Sequence, residues 1–307
     1  MKTRKLVLII ADLVLLAVCI IQGIVSAGDG VKTFTYDGKP DEITIVTPSE
    51  TILLTKENDN WFVSDSKYPV ITSTVESLIE ASSSIRALDK IASVNENNLT
   101  KYELTDGKKI SVEIKKAGKI LRSFFIGKEA ASSSQSYIIL DKGNDIYLAS
   151  GSLRNTFDTT IDTLRSKVIW DFDKNTISSL GVTKADGENW SLSRLVSGNS
   201  ESWSFSVPDK EVDSAKAKNV LEALAYLTTS KWYDDDIKPH NLNGELLLTA
   251  KVGHTFDTAS IEIYKVDAAT EDGETTYFAV SSESPYVFEL SSYNVEKFNK
   301  NAEDFIK

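Results

Sequence analysis

From Asp41 onward, apolar residues alternate with polar ones in short runs. Ile43 and Ile45, Ile52 and Leu54, and Trp61 and Val63 keep a period of two, the pattern of half-buried strands. Glu57-Asn58-Asp59-Asn60 supplies the turn between two of them. Tyr68-Pro69 stops the alternation. Val75, Leu78, Ile79 and Ile85 follow at helical spacing, which predicts a helix over 72–87. Short β-rich runs come next at Ile110–Ile114, Ile120–Ile126, Tyr137–Leu140 and Ile146–Leu148. Asp106-Gly107, Lys116-Ala117-Gly118 and Lys142-Gly143-Asn144-Asp145 separate them as hairpin-type turns. A further helix is expected over Leu153–Leu164.

The same order then recurs. Trp190–Leu195 and Trp203–Val207 read as strands, with Trp203, Phe205 and Val207 on one face, and Pro208 breaks the pattern as Pro69 does. Ala215–Leu227 reads as a helix burying Val220, Leu221, Leu224 and Leu227. Strands are expected at Leu246–Leu248, Ile261–Tyr264, Tyr277–Val280 and Val287–Leu290, and a terminal helix over Asn294–Ile306. Trp203, Leu221 and Leu227 each lie 142 positions after Trp61, Ile79 and Ile85, while Tyr277 and Phe298 follow Tyr137 and Phe157 at 140 and 141. Such a register predicts a doubled folding unit. The expected fold class is α+β: two tandem similar units, each a mostly antiparallel sheet with one or two helices on a face. Residues 41–174 form the first unit, 175–307 the second, and 28–40 a linker.

Leu6 to Val25 breaks with all of this. Twenty residues carry one charge, Asp12, and at 1.5 Å per residue they reach about 30 Å, the thickness of a bilayer core. Lys2, Arg4 and Lys5 precede the run and Asp29 follows, so the positive-inside rule keeps the N-terminus cytoplasmic and the bulk of the chain outside. Residues 1–27 are therefore expected to be a cytoplasmic tip and a single transmembrane helix in the cell membrane. Two alternatives stay open: cleavage at Val25-Ser26-Ala27, or lipidation of Cys19 after Leu16-Ala17-Val18.

Hydrophobic residues make up 41% of the 307 and aromatics 9%, enough for two packed cores rather than a disordered chain. The net charge of −11 repels phosphate backbones, so nucleic acid is not an expected partner. Cys19 is the single cysteine, which leaves the folded part without a disulfide or a thiolate metal site. His240 and His254 lack a second histidine or cysteine at ligand spacing, and neither accompanies a G-x-S-x-G elbow. Ser64-Asp65-Ser66-Lys67 matches S-x-x-K, but without S-D-N or K-T-G partners it reads as a loop. Asp171, Asp173 and Asn175 imitate the start of a calcium loop, yet Thr176 and Val182 stand where glycine and glutamate are required. No catalytic residue, cofactor or resident metal is expected. The one candidate ligand or partner surface is Trp232, Tyr233, Asp234, Asp235 and Asp236, a tryptophan and a tyrosine beside three carboxylates that suit a cation or a sugar.

Trp61 and Pro69 ahead of the amphipathic stretch Val75–Ile85 open a further pattern. It continues through Tyr102-Glu103-Leu104, Phe125-Ile126-Gly127-Lys128, Tyr137-Ile138-Ile139-Leu140 and Ile146-Tyr147-Leu148, and closes with Leu164-Arg165-Ser166-Lys167 and Phe172-Asp173. In these residues the chain resembles the bacterial family called domain of unknown function 4340, over most of 41–230. The second half lacks a clear Ile-Gly-Lys step. The resemblance implies one N-terminal membrane helix, a gene neighbourhood holding an ABC-type transport system with a gliding-motility-type auxiliary subunit, and no catalytic motif to carry over. The expected function is thus a non-enzymatic extracytoplasmic interaction or scaffold subunit, accessory to an ABC-type transporter. A module binding envelope glycans or polymers is the first rival. An enzyme with two dispersed carboxylates in one cleft is the second.

Overall fold

The computed structural model describes residues 31–131, 134–198, 200–207, 210–255, 257–266 and 275–307. The membrane segment expected at 6–25 and the break at Pro208 lie outside these residues. Among the described residues no helix is long and apolar enough to cross a membrane. The chain divides into two compact units between Ser166 and Lys167, eight residues before the boundary read from the sequence.

The first unit runs β1 Lys32–Thr35, β2 Glu42–Val46, β3 Thr51–Glu57, β4 Asn60–Val63, β5 Tyr68–Pro69, α1 Thr72–Ser83, β6 Ser84–Ser93 and α2 Glu96–Lys101. It continues β7 Ile110–Lys116, β8 Lys119–Glu129, β9 Gln135–Leu140, β10 Asp145–Ser150, α3 Leu153–Phe157 and α4 Ile161–Leu164. One antiparallel sheet takes the strands in the order β1-β6-β10-β9-β8-β7-β2-β3-β4-β5. Alternation sets its faces. Ile43, Ile45, Leu54, Val112, Ile114, Phe124 and Ile126 turn to a front face, where Val75 and Leu78 of α1 and Leu153 and Phe157 of α3 cover them. Phe157 meets Phe124 edge to face at 5.3 Å. Each such side chain contributes roughly 1.5–3 kcal/mol by leaving water.

The second unit runs β11 Val168–Asp171, β12 Ile177–Lys184, β13 Asn189–Ser197, β14 Ser200–Phe205, α5 Ser214–Ala223, β15 Tyr226–Thr228 and β16 Lys231–Trp232. It continues β17 Glu245–His254, β18 Asp257–Val266, β19 Thr276–Ser281, β20 Ser284–Leu290 and α6 Ser292–Phe298. Its main sheet takes the order β14-β13-β12-β17-β18-β19-β20-β16, and β11 pairs separately with β15. Leu180, Val182, Ala250, Val252, Ile261 and Ile263 form the front face under Ala217 and Leu221 of α5 and Val295 and Phe298 of α6. The chain end seals this core. Phe305 packs on Trp190 at 4.9 Å, Trp190 Nε1 donates to the Lys300 carbonyl, and the Ala302 N–H donates to Glu188.

The molecule is thus mostly antiparallel sheet with a few helices, as its alternation predicts. Four helical expectations are corrected. The first helix stops at Ser83, and Ser84–Ser93 is a strand in which Ile85 and Ala87 are buried by alternation rather than by helical spacing. Leu153–Leu164 is two short helices, the second opened by Thr160, whose hydroxyl accepts from the Thr163 N–H. The helix expected over Ala215–Leu227 ends at Ala223 because residues 226–228 extend to pair with β11. The terminal helix ends at Phe298 and is followed by a 3-10 turn, Ala302–Phe305. The linker also carries structure: β1 pairs with β6, and Phe34 meets Tyr147 edge to face.

Helices on a single face are a further expectation the structure amends. In the first unit Tyr102, Leu104, Ile139 and Ile146 form a smaller cluster on the reverse of the sheet, beneath α2 and the loop after it. Ile138 and Ile139 belong to different clusters because consecutive strand residues face opposite ways.

Candidate functional site

The residues carrying the family resemblance meet in pairs. Tyr102-Glu103-Leu104 lies against Ile126-Gly127-Lys128, where the Lys128 N–H donates to the Tyr102 carbonyl at 2.9 Å. A Cβ at Gly127 would stand 2.1 Å from that carbonyl oxygen and 2.9 Å from Leu104 Cγ. Glycine is therefore required by close approach, and Glu103 takes a positive φ of 55° to make the bend. Tyr68-Pro69-Val70 likewise meets Leu164-Arg165-Ser166. Val70 bridges Arg165, the Ser166 N–H donates to the Pro69 carbonyl at 2.7 Å, and the Arg165 guanidinium stacks 3.6 Å from the Tyr68 ring centre. Both pairs join segments far apart in the chain, so these motifs act as structural joints.

The five residues singled out as a surface do not converge. Trp232 lies on β16, packs edge-on to Tyr286 and Phe288 at 5.9 and 6.0 Å, and turns toward the front-face core. Tyr233, one residue on, meets Phe278 at 6.5 Å, and Phe278 faces the reverse side while its neighbour Ala279 belongs to the front core. The two rings therefore occupy opposite faces of the sheet. Burial, and next the nearby Glu289 carboxylate, raise the Tyr233 phenol above its ordinary pKa. Asp234, Asp235 and Asp236 are exposed, and the Asp234 carbonyl accepts the Ile237 N–H in a turn. A flat sugar face needs both rings on one side, and this geometry does not supply that.

Other polar candidates are engaged in structure. Ser64 and Lys67 have positive φ, and the Ser64 carbonyl accepts the Lys67 N–H, so Ser64–Lys67 is a turn. The Asp173 carboxylate accepts from the Asn175 N–H and side-chain amide, opening the 3-10 turn Lys174–Thr176. The His254 ring stacks on Phe172 at 3.7 Å, and His240 is exposed in the 3-10 turn Pro239–Leu242. Among the described residues no three His, Cys, Asp or Glu side chains gather as metal ligands would.

Each unit also has a groove between two helices, which sequence reading did not find. In the first, Ser73, Thr74 and Ser77 of α1 face Thr156 of α3 across about 350 Å³, with Leu78 at the base. In the second, Val220 and Ala223 of α5 face Tyr293, Glu296 and Lys297 of α6 across about 210 Å³. Lys297 donates to the Tyr226 carbonyl, and burial holds its ammonium below the ordinary lysine pKa. The first groove offers hydroxyls, the second an aromatic face and a cation. Neither was legible because it depends on which helices become neighbours.

No curated protein and no solved structure matches this chain. The joints, by contrast, lie within or beside a matched stretch: the family model described as domain of unknown function (DUF4340) matches residues 61–244, more than half of the chain and extending into both units, and the chain belongs to that family.

Proposed function

We propose that this protein is a non-enzymatic scaffold or interaction subunit, anchored by residues 6–25 with its bulk outside the cytoplasm, accessory to an ABC-type transport complex and built from two copies of one fold. One observation carries the doubled architecture. Read from β1 and leaving aside the terminal β5, which has no counterpart, the first sheet runs β1-β6-β10-β9-β8-β7-β2-β3-β4, and the second unit runs β11-β15/β16-β20-β19-β18-β17-β12-β13-β14. Each element of one series has its counterpart in the other, with α1 matching α5 and α3 matching α6.

The counterpart side chains are packing residues. Trp61 and Trp203, Ile79 and Leu221, Ile85 and Leu227, and Phe157 and Phe298 all belong to or pack on their unit's front core. The fifth pair read from the sequence is off by one. Tyr137 packs on the reverse face, whereas Tyr277 packs on the front, so Phe278 is the counterpart of Tyr137. Doubling that retains core residues supports a rigid platform more than a catalyst.

Co-purification from native membranes in mild detergent tests the function. The reading expects transporter subunits at constant proportion to this chain. Recovery of the chain without them contradicts it.

A further inference from the structure

Among the described residues the two large sheets have four ends, and three are blunted. β1 is four residues long and opens on Lys32, β5 is two residues ending in Pro69, and β16 is two residues opening on Lys231. Short length, lysine and proline are the ordinary means of keeping an edge from pairing with another chain. The fourth end, β14, has none of them. Ser200–Phe205 contains no lysine, arginine or proline, and its ladder to β13 runs through six pairs without a bulge. Its one charge, Glu201, is held by the Arg194 guanidinium at 3.0 Å. The counterpart strand in the first unit, β4, is followed by β5, which pairs with its end.

The ladder fixes which backbone groups are turned outward. The Ser206 N–H donates to the Ser191 carbonyl, so by alternation Ser204, Ser202 and Ser200 bond to β13. The N–H and C=O of Glu201, Trp203 and Phe205 then point to the open edge. Beside it, Leu195 and Val196 of β13 are 56% and 64% exposed, among the most exposed large apolar residues described.

We infer that β14 is a self-association edge: two copies of this chain pair β14 with β14, antiparallel about a two-fold axis, to join their second sheets. The strand is complementary to itself. Centred on Trp203, the pairing sets Ser202 opposite Ser204 and Glu201 opposite Phe205, so no like charges meet and aromatic and hydroxyl pairs form across the seam. Symmetry also selects this partner, because a two-fold contact uses one patch twice and closes without leaving a new edge. Each copy carries −11, yet the seam itself is uncharged apart from the internally paired Glu201. Repulsion between the acidic bodies is screened at about 8 Å in physiological salt, so pairing strengthens as salt rises.

The full 307-residue chain, purified in a mild non-ionic detergent, is examined by light scattering that separates protein from detergent mass. Two chains per particle are expected, with the paired fraction rising with salt. Glu201→Pro removes one outward N–H and leaves the ladder to β13 intact, so it yields single chains with unchanged circular dichroism. Ser202→Lys leaves the backbone alone and places a lysine on the edge; it has the same effect and decides the matter if the proline variant does not fold. Single chains of the unaltered protein at every salt concentration overturn the inference. So does a two-chain particle that survives Ser202→Lys.

Discussion

The two units solve one packing problem in opposite ways. On the reverse of the first sheet a loop must lie close to a strand, and the strand yields: Gly127 makes room for the Tyr102 carbonyl and the Leu104 side chain. On the reverse of the second sheet the loop yields. A Cβ on Gly244 would stand 2.4 Å from the Phe278 ring, which stacks on Tyr264 at 4.9 Å and 6°. On the proposed doubling the two units share a strand order, while the residue that gives way differs. If the units are copies, what persists between them is which surfaces must approach, and doubling then accounts for the missing Ile-Gly-Lys step in the second half.

That contrast can be broken experimentally. The largest effect belongs to the chain end, by which the second unit seals its core. Phe305→Ala should destabilise that unit by about 4 kcal/mol, as for other buried phenylalanines. Trp190 fluorescence should shift to the red, and an unchanged melt would show that the tail does not seal the core. Next, Gly127→Ala should cost about 3 kcal/mol, because its obstacle is a backbone oxygen that cannot rotate away. Gly244→Ala meets a ring instead and should cost about 1–2 kcal/mol. Phe278→Leu should restore much of the second loss, whereas Leu104→Ala should not restore the first. Denaturant unfolding of the four variants decides it, and equal rescue on both sides would refute the assignment.

The smallest effect is electrostatic. The Tyr264 hydroxyl donates to the Glu262 carboxylate at 2.7 Å, which pushes its pKa up to about 12 from 10.0. The folded form holds this proton longer than the unfolded chain, so its contribution is complete below pH 10 and fades as pH rises from 10 toward 12. Ultraviolet titration should find Tyr264 among the late-ionising tyrosines, with Tyr36, Tyr147 and Tyr233, and Glu262→Gln should move Tyr264 alone toward the ordinary range. An unchanged late-ionising fraction in the variant would contradict this cause.

Much of the sheet was legible because alternation is local: Ile110–Ile114 and Ile261–Tyr264 needed only their own residues. The misread elements are those whose partners lie far away. Ile85 and Leu227 both extend a preceding helical spacing, and only pairing with β1 and β11 turns them into strand residues. Ile177–Lys184 has serines and a glycine between its apolar positions, so its alternation is weak until β17 pairs with it. For the candidate surface, the residue types at 232–236 could be read, but the separation of Trp232 and Tyr233 onto opposite faces required knowing that Trp232 ends β16 and that the Tyr233 N–H carries the pairing on to the Val287 carbonyl.

The central claim is one architecture used twice, and native-state hydrogen exchange tests it most directly. The slowest amides of each unit should lie in counterpart central strands, β7 and β8 in the first and β17 and β18 in the second, because these lie farthest from the edges of their sheets. Slowest exchange confined to one unit, or falling on strands without a counterpart relation, would contradict the account.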